Sequence, residues 1–394
     1  MDISRKNVVV LAVCQGLLLI NNTVLITVNA LVGYALAPEK ALATLPVTMY
    51  FVGSALSTIP FSFMMKRYGR RAGFTLGALF ATFGSITCAV AVYRGDFWLL
   101  CLGVLVLGAY FAAGQYYRFA AADSAPADFK STAISLVLAG GIVGGFIGPE
   151  TSKLTKELVA GHAYAGSYIS LVAFALLSII ALRWLQIAGL TEVERKAAGR
   201  PLEVIARQPA FIVAVLCATI AYGVMNLLMT TTPLAMGASG HDFREAAFVI
   251  QWHVVGMFAP SFVTGHIIKR FGLTAVMLTG VVLNIVCVGI ALLGVQVMHF
   301  WLALVLLGIG WNFMFVGATA LLTEIHSTAE RAKVQGVNDA AISITMIITS
   351  LASGALFTIQ GWYAMNLWAL PALLLVGASL LWLAWTRRQR DQLV

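Results

Sequence analysis

Ser62-Phe63-Met64-Met65-Lys66-Arg67-Tyr68-Gly69-Arg70-Arg71 closes one long apolar run and opens the next, and Gly265-His266-Ile267-Ile268-Lys269-Arg270-Phe271-Gly272 does the same later in the chain. Both turns contain Lys-Arg-aromatic-Gly, and Gly69 and Gly272 are 203 residues apart in a chain of 394. A repeat at half the chain length implies two parallel halves of like design. The basic residues sit where an apolar run ends, as expected where a helix leaves a membrane.

Working outward, a hydrocarbon core about 30 Å thick needs roughly 20 apolar residues per helical span. That ruler divides the chain into twelve segments: about 7–32, 41–64, 73–93, 98–121, 133–155, 165–186, 210–232, 244–268, 274–297, 299–322, 334–358 and 362–386. The expected fold class is therefore an all-α integral membrane protein of twelve transmembrane helices in two pseudo-symmetric six-helix halves. Residues 1–186 form the first half, 187–208 a cytoplasmic linker and 209–394 the second half. Composition excludes a soluble globule: 60% of residues are hydrophobic and 10% charged, against about 25% charged in soluble domains. The first apolar run is too long for a removable signal peptide and lacks a small-residue cleavage site.

A net charge of +9 raises the question of nucleic acid, but the charges are few and segregated. With both termini cytoplasmic, 20 of the 25 Lys and Arg residues fall inside, Arg118 and Lys130 among them. Only Lys40, Arg94, Lys153, Lys156 and Arg244 fall outside. Topology accounts for the basicity, and no nucleic-acid partner is expected. Five cysteines, all within apolar stretches, make no CxxC or zinc pattern. No nucleophile–base pair, phosphate loop or cofactor motif is present, so neither an enzyme nor a bound cofactor is expected.

The first turn resembles the cytoplasmic loop signature of the major facilitator superfamily, an Arg-x-Gly-Arg-Arg element preceded by an acidic residue. Arg67, Gly69, Arg70 and Arg71 keep its basic part, while Lys66 stands at the acidic position and Ser62 at the leading glycine. The resemblance implies alternating access, with Lys269, Arg270 and Gly272 as the counterpart turn. The arginines are expected to cap helix C-termini; plain positive-inside anchoring accounts for them as well. On span 5, Gly140, Gly144 and Gly148 form an i,i+4 stripe that lets backbones approach closely. Spans 5 and 11 resemble the helices that rock against the opposite half, and static packing explains such a stripe equally well.

Spans 1, 2, 3, 7, 9 and 10, and span 8 from Ala246 onward, carry no Asp or Glu, which argues against an intramembrane proton relay or a hard-metal cage there. Soft donors occur instead. Met225 and Met229 lie at i,i+4 on span 7, as do His253 and Met257 on span 8, so each pair shares a helix face. Antiparallel neighbours would order Met236, Met229, Met225, His253 and Met257 inward, and thioether with imidazole selects Cu(I). Met packing explains the same pairs without a metal. Met314 on span 10 and Cys217, slightly off the thioether face, are further candidates.

These two motifs resemble the bacterial major-facilitator copper importer that supplies cbb-type cytochrome c oxidase assembly. The resemblance implies copper as transported substrate, with Met225, Met229, His253 and Met257 as ligands, in a bacterial inner-membrane monomer handing copper to chaperones. Two alternatives stand beside it. Asn21, Asn22, Asn29, Gln115, Tyr116, Trp311 and Asn312 would line a site for a neutral or anionic organic solute, or bridge helices. A non-transporting membrane sensor would use the same fold without turnover.

Overall fold

The computed structural model describes residues 3–39, 42, 45–187 and 199–391. The described residues form helices and connections, with no strand. In chain order the helices are α1 (Ile3–Leu36), α2 (Leu45–Tyr68), α3 (Arg70–Arg94), α4 (Phe97–Gly114), α5 (Tyr117–Ser124), α6 (Lys130–Ala139), α7 (Ile142–Thr155) and α8 (Ala165–Leu182). There follow α9 (Leu202–Ala206), α10 (Pro209–Ala238), α11 (Phe243–Phe258), α12 (Ser261–Phe271), α13 (Leu273–Leu293), α14 (Val297–Glu324) and α15 (Arg331–Asp391). Of the expected linker, residues 188–198 lie outside the described residues, and so do Lys40, Arg195 and Lys196.

Among the described residues eleven helical stretches are long and apolar enough to cross a membrane, and the pair α11–α12 makes a twelfth span bent by 41°. Every backbone amide in hydrocarbon must be satisfied internally, so an apolar run of this length has no alternative to helix. Pro260 explains the bend, since it brings no N–H to the ladder. α15 contains two apolar spans, Arg331–Ser353 and Ile359–Arg387, and Gly361 at φ 74° kinks it near the start of the second. Polar caps set other ends: the Asp96 side chain accepts from the Leu99 amide, and Asp242 with Glu245 forms a capping box at the start of α11.

The two quoted turns share one backbone geometry. Gly69 has φ 89° and ψ 161°, and Gly272 has φ 85° and ψ 158°. A side chain at either position would be strained, so the glycine is what lets one span end and the next begin within a residue. Arg67 lies over Tyr68 at 5.2 Å, and Arg270 over Phe271 at 5.3 Å. Arg71 is exposed. The likeness stops at the next residue, where Arg70 has Leu273 as its counterpart.

The chain forms two compact units. The first comprises Met1–Pro126, Leu136–Ala198 and Arg331–Ile344; the second comprises Ala127–Ser135, Gly199–Glu330 and Thr345–Val394. The starts of spans 5 and 11 are thus each grouped with the unit built mainly from the other half of the sequence. In the second unit a Cβ at Gly265 would meet Thr132 Cα at 2.5 Å. In the first, Ser62 donates to the Ala332 carbonyl at 2.5 Å.

Span 5 is not one helix. Gly140 lies in the turn between α6 and α7, so the expected unbroken stripe is kinked there. Its glycines pack on α1 within the first unit. A Cβ at Gly140 would collide with the Ala12 carbonyl, one at Gly144 would lie 2.5 Å from Leu19 Cβ, and one at Gly148 2.7 Å from Thr23 Cβ. Gly144→Leu is therefore expected to destabilise the first unit by at least about 1–3 kcal/mol, the usual cost of overpacking. A lowered melting temperature of the purified variant, with transport lost in parallel, checks this; wild-type stability would show that α1 and α7 can separate freely.

Candidate functional site

In the second unit, span 10 (α14) is the central element. Both α10 and α11 pack far more extensively on α14 than on each other. Small residues explain the approach of α11: a Cβ at Gly256 would meet the Val305 carbonyl oxygen at 2.8 Å, and one at Gly308 the His253 carbonyl oxygen at 2.6 Å. Spans 7 and 8 touch, as expected of neighbours, but each packs mainly on span 10.

The soft-donor residues follow this arrangement. His253 is fully buried, and its Nδ1 lies 2.7 Å from the Leu304 carbonyl of α14. A carbonyl accepts, so Nδ1 carries the proton and Nε2 holds a lone pair, which has no partner among the described residues. Met225, Met236 and Met257 are buried, and Met229 is half-buried. Beside Met225, Asn226 donates to Thr349 Oγ1 at 2.9 Å and to the Met346 carbonyl at 3.2 Å, tying α10 to the 345–353 stretch of α15.

Met314 and Cys217 are already engaged. The Met314 sulfur accepts from Asn284 Nδ2 at 3.2 Å, which turns it toward α13, and the Cys217 thiol lies 3.7 Å from the Met314 carbonyl. Among the described residues no group of three His, Cys, Asp or Glu side chains is placed to hold a metal ion.

An aromatic cluster occupies the same region. Trp311 and Phe315 stack at 5.0 Å and 21°, Tyr222 meets both edge-on at 5.2 and 4.9 Å, and Phe258 meets Trp311 at 5.8 Å. Trp311 is buried, and its indole N–H has no acceptor among the described residues. It lies two helical turns beyond Leu304 on the same face of α14, about 10 Å along the axis. The second unit thus holds a buried unused donor, on Trp311 within the aromatic cluster, and a buried unused acceptor, on His253, among the described residues.

Most of the other polar residues expected to line a solute site are bound to neighbours. Asn312 donates to the Met257 carbonyl at 2.7 Å and to Ser261, and accepts from Thr264 at 2.7 Å. Asn29 accepts from Tyr168, Tyr116 donates to the Thr58 carbonyl, and Gln115 accepts from Arg118. Asn21 keeps one oxygen without a partner among the described residues.

The first unit holds what the sequence reading missed. Arg70 is buried: its Nε and Nη2 reach Asp123 Oδ2 at 3.1 and 2.8 Å, and Nη2 reaches Gln335 at 2.6 Å. Arg331 reaches the same carboxylate oxygen at 2.8 Å. Asp123 thus supplies from α5 the acid that Lys66 displaces from the turn, and Arg70 pairs with it instead of capping a helix. Arg118, counted above as a positive charge inside, is 2% exposed and bonds Asp339 at 2.5 Å. Asp339 is a carboxylate within span 11, and an apolar run interrupted by one acid was the signal available for it. Removing one partner from such a buried pair typically costs about 3–5 kcal/mol.

The sequence model of the Major Facilitator Superfamily matches residues 11–252 and 214–393. This chain belongs to the Major Facilitator Superfamily. It is 40% identical over 380 residues to the riboflavin transporter RfnT of Brucella anthropi, covering 96% of both chains. Among solved structures it matches the human organic anion transporter MFSD10 at TM-score 0.79 with 14% identity, covering 96% of this chain and 100% of that one. A bacterial homologue of the iron transporter ferroportin, in an outward-facing state, matches at TM-score 0.75 with 13% identity and 97% and 99% coverage. At such identities the structures speak for the fold alone. The protein is a multi-pass membrane transporter and not an enzyme.

A further ion pair lies outside the spans. Glu330 accepts from Arg200 through Nε at 2.6 Å, Nη2 at 2.8 Å and the backbone amide at 2.8 Å, and from the Ser327 amide at 2.9 Å. Hydrogen bonding from Arg200 outweighs burial and holds the Glu330 carboxyl well below its ordinary value of 4.5. A depressed acid stabilises the fold above its unfolded pKa, and that contribution fades as pH falls through the folded value. Glu330→Gln is accordingly expected to lower the melting temperature at pH 7, with the gap to wild type narrowing below about pH 4.5. A gap independent of pH over that range would contradict this linkage.

Proposed function

We propose that this protein transports a planar aromatic organic solute of the riboflavin type across a bacterial inner membrane. The 40% identity to a riboflavin transporter over almost the whole chain is the observation that carries the reading. The second unit offers matching chemistry. A flavin ring presents a flat π-face together with an imide edge that has one N–H donor between carbonyl acceptors. Tyr222, Trp311 and Phe315 offer aromatic faces, the His253 Nε2 lone pair fits the N–H, and the Trp311 indole fits a carbonyl. Stacking tolerates many ring systems, while the paired donor and acceptor would discriminate between them.

Copper import gains no comparable support. Met314 and Cys217 are spent on neighbouring helices, and the relative at 40% identity is described as a riboflavin transporter. On this reading Met225, Met229, Met236 and Met257 are adaptable packing around the aromatic set, and His253 serves as acceptor instead of metal ligand.

Uptake of radiolabelled riboflavin by a bacterial strain lacking its own riboflavin supply tests the proposal. Wild type should restore uptake and growth on low external riboflavin. Trp311→Phe, which keeps an aromatic ring and deletes the N–H, and His253→Leu should each raise the half-saturating concentration about tenfold, the effect of about 1.4 kcal/mol. Met225→Leu conserves volume and should stay near wild type. No riboflavin uptake by well-expressed wild type, or copper accumulation abolished by Met225→Leu, would overturn the reading.

The charge distribution further leads us to place both termini in the cytoplasm. Reporter fusions at Arg71 and after Arg387 should then report the inside and one at Ala238 the outside; the reverse pattern would invert the membrane orientation.

A further inference from the structure

At the basic end of spans 8, 9, 10 and 12 the second unit holds a cavity of about 510 Å³. Its wall is the turn from Ile268 to Ala275, which joins α12 to α13, together with Glu324 from the end of α14 and Arg387 from near the end of α15. Basic residues at span ends are explained in general by anchoring at the inner membrane surface. Anchoring does not require cations from separate spans to meet in one cavity. Here Lys269 of span 8 and Arg387 of span 12 line the same one.

These charges are not paired off with one another. Arg387 Nη2 lies 3.9 Å from Glu324 Oε2, beyond hydrogen-bond range. Lys130 also acts on Glu324, so that carboxylate does not depend on Arg387 for its counter-charge. The Lys269 ammonium lies 5.8 Å from the centroid of the Phe129 ring, which seats the cation without neutralising it. Two cations therefore line the cavity against one carboxylate that has a further cation near it. The amides of residues 273–275 open α13 and have no intrahelical acceptor, and Gly272 brings no side chain to cap them. Thr274 adds a hydroxyl to the lining.

Depth along the spans decides which anion this is. Trp382 and Trp385 are exposed in the last turns of α15, just before Arg387, and exposed tryptophans near a span end mark the level of the lipid headgroups. Phe271, part of the cavity lining, is 62% exposed. An anion held at this level, beside an exposed aromatic ring, is one that carries acyl chains of its own. Basic pockets between spans on the inner face of a membrane suit phospholipid headgroups for this reason.

We propose that this cavity binds the headgroup of an anionic phospholipid, with Arg387 and Lys269 on its phosphate. The guanidinium takes phosphate oxygens through its paired N–H groups, and the ammonium acts as a point charge. Glu324 keeps the Arg387 side chain over the cavity without occupying its donors. A bound headgroup joins the α12–α13 turn to the end of α15, two parts of the second unit that are far apart in sequence. The unit is accordingly more stable with such a lipid than without it. Nothing in this assignment depends on which solute is transported.

Native mass spectrometry of the purified full-length protein tests it, with phosphatidylglycerol and phosphatidylcholine as probes. Wild type should hold phosphatidylglycerol about tenfold more tightly than phosphatidylcholine, and only phosphatidylglycerol should raise its melting temperature. In Lys269→Gln/Arg387→Gln the affinity ratio should fall to about one and the thermal gain should disappear. Arg387→Gln alone, at a partly exposed position, should lower the ratio severalfold and serves if the double variant folds poorly. Arg5→Gln/Arg183→Gln removes the same charge elsewhere and should behave as wild type. A ratio unchanged in the Arg387 variants overturns the proposal. So does an equal loss in the Arg5 and Arg183 variant, which would reduce the effect to general attraction between a basic protein and an acidic lipid. Displacement of the lipid by glycerol phosphate at equal concentration would assign the cavity to a soluble phosphate and overturn the lipid site.

Discussion

In hydrocarbon, no polar group can fall back on water, and that single constraint shapes the whole chain. It forces each apolar run into helix, because a helix satisfies its amides within the run. It also means that a charge retained inside must be matched by a specific neighbour. Arg70, Arg118, Asp123 and Asp339 are the visible result: their pairings at 2.5–3.1 Å hold the start of span 11 in the first unit. Packing by small residues does the rest. Gly53, Gly108, Gly144, Gly256 and Gly308 each lie where a Cβ would collide with a neighbouring backbone, which is how helices associate where the hydrophobic effect gives no preference for protein over lipid.

Within those limits the two units are chemically unlike. The first concentrates buried ion pairs around α3, α5 and the start of α15. The second concentrates aromatic rings and uncharged polar atoms around α14. A repeat that begins with the same Lys-Arg-aromatic-Gly turn has therefore diverged in what it does. Arg70 has an apolar counterpart, Leu273, and the aromatic contacts of Trp311 and Phe315 on α14 are with Tyr222 and Phe258. On the proposed reading, solute chemistry belongs to the second unit.

The copper expectation shows where pattern reading runs out. Met225 with Met229 and His253 with Met257 share helix faces, as i,i+4 spacing requires. Spacing fixes a residue's face but not what that face meets. With α14 as the main neighbour of both α10 and α11, the imidazole turns to the Leu304 carbonyl, and the Met314 sulfur is taken by Asn284. The same geometry that engages these groups leaves the Trp311 N–H and the His253 Nε2 without partners among the described residues.

The number of spans, the two-fold repeat and the turns at Gly69 and Gly272 were legible in the sequence because they depend on run length and local backbone geometry, whereas span 8 was read as unbroken and its bend at Pro260 was not. Span boundaries came within a few residues for the same reason. Arg118 was misread as a loop charge and Asp339 passed over, because each is tolerable in lipid only through the other, and 221 positions separate them. The Gly140–Gly148 stripe was visible, but its partner α1 was not. Local physics is written along the chain. Which buried charge meets which, and which helix lies between two others, depends on contacts distant in sequence, and these only the tertiary structure decided.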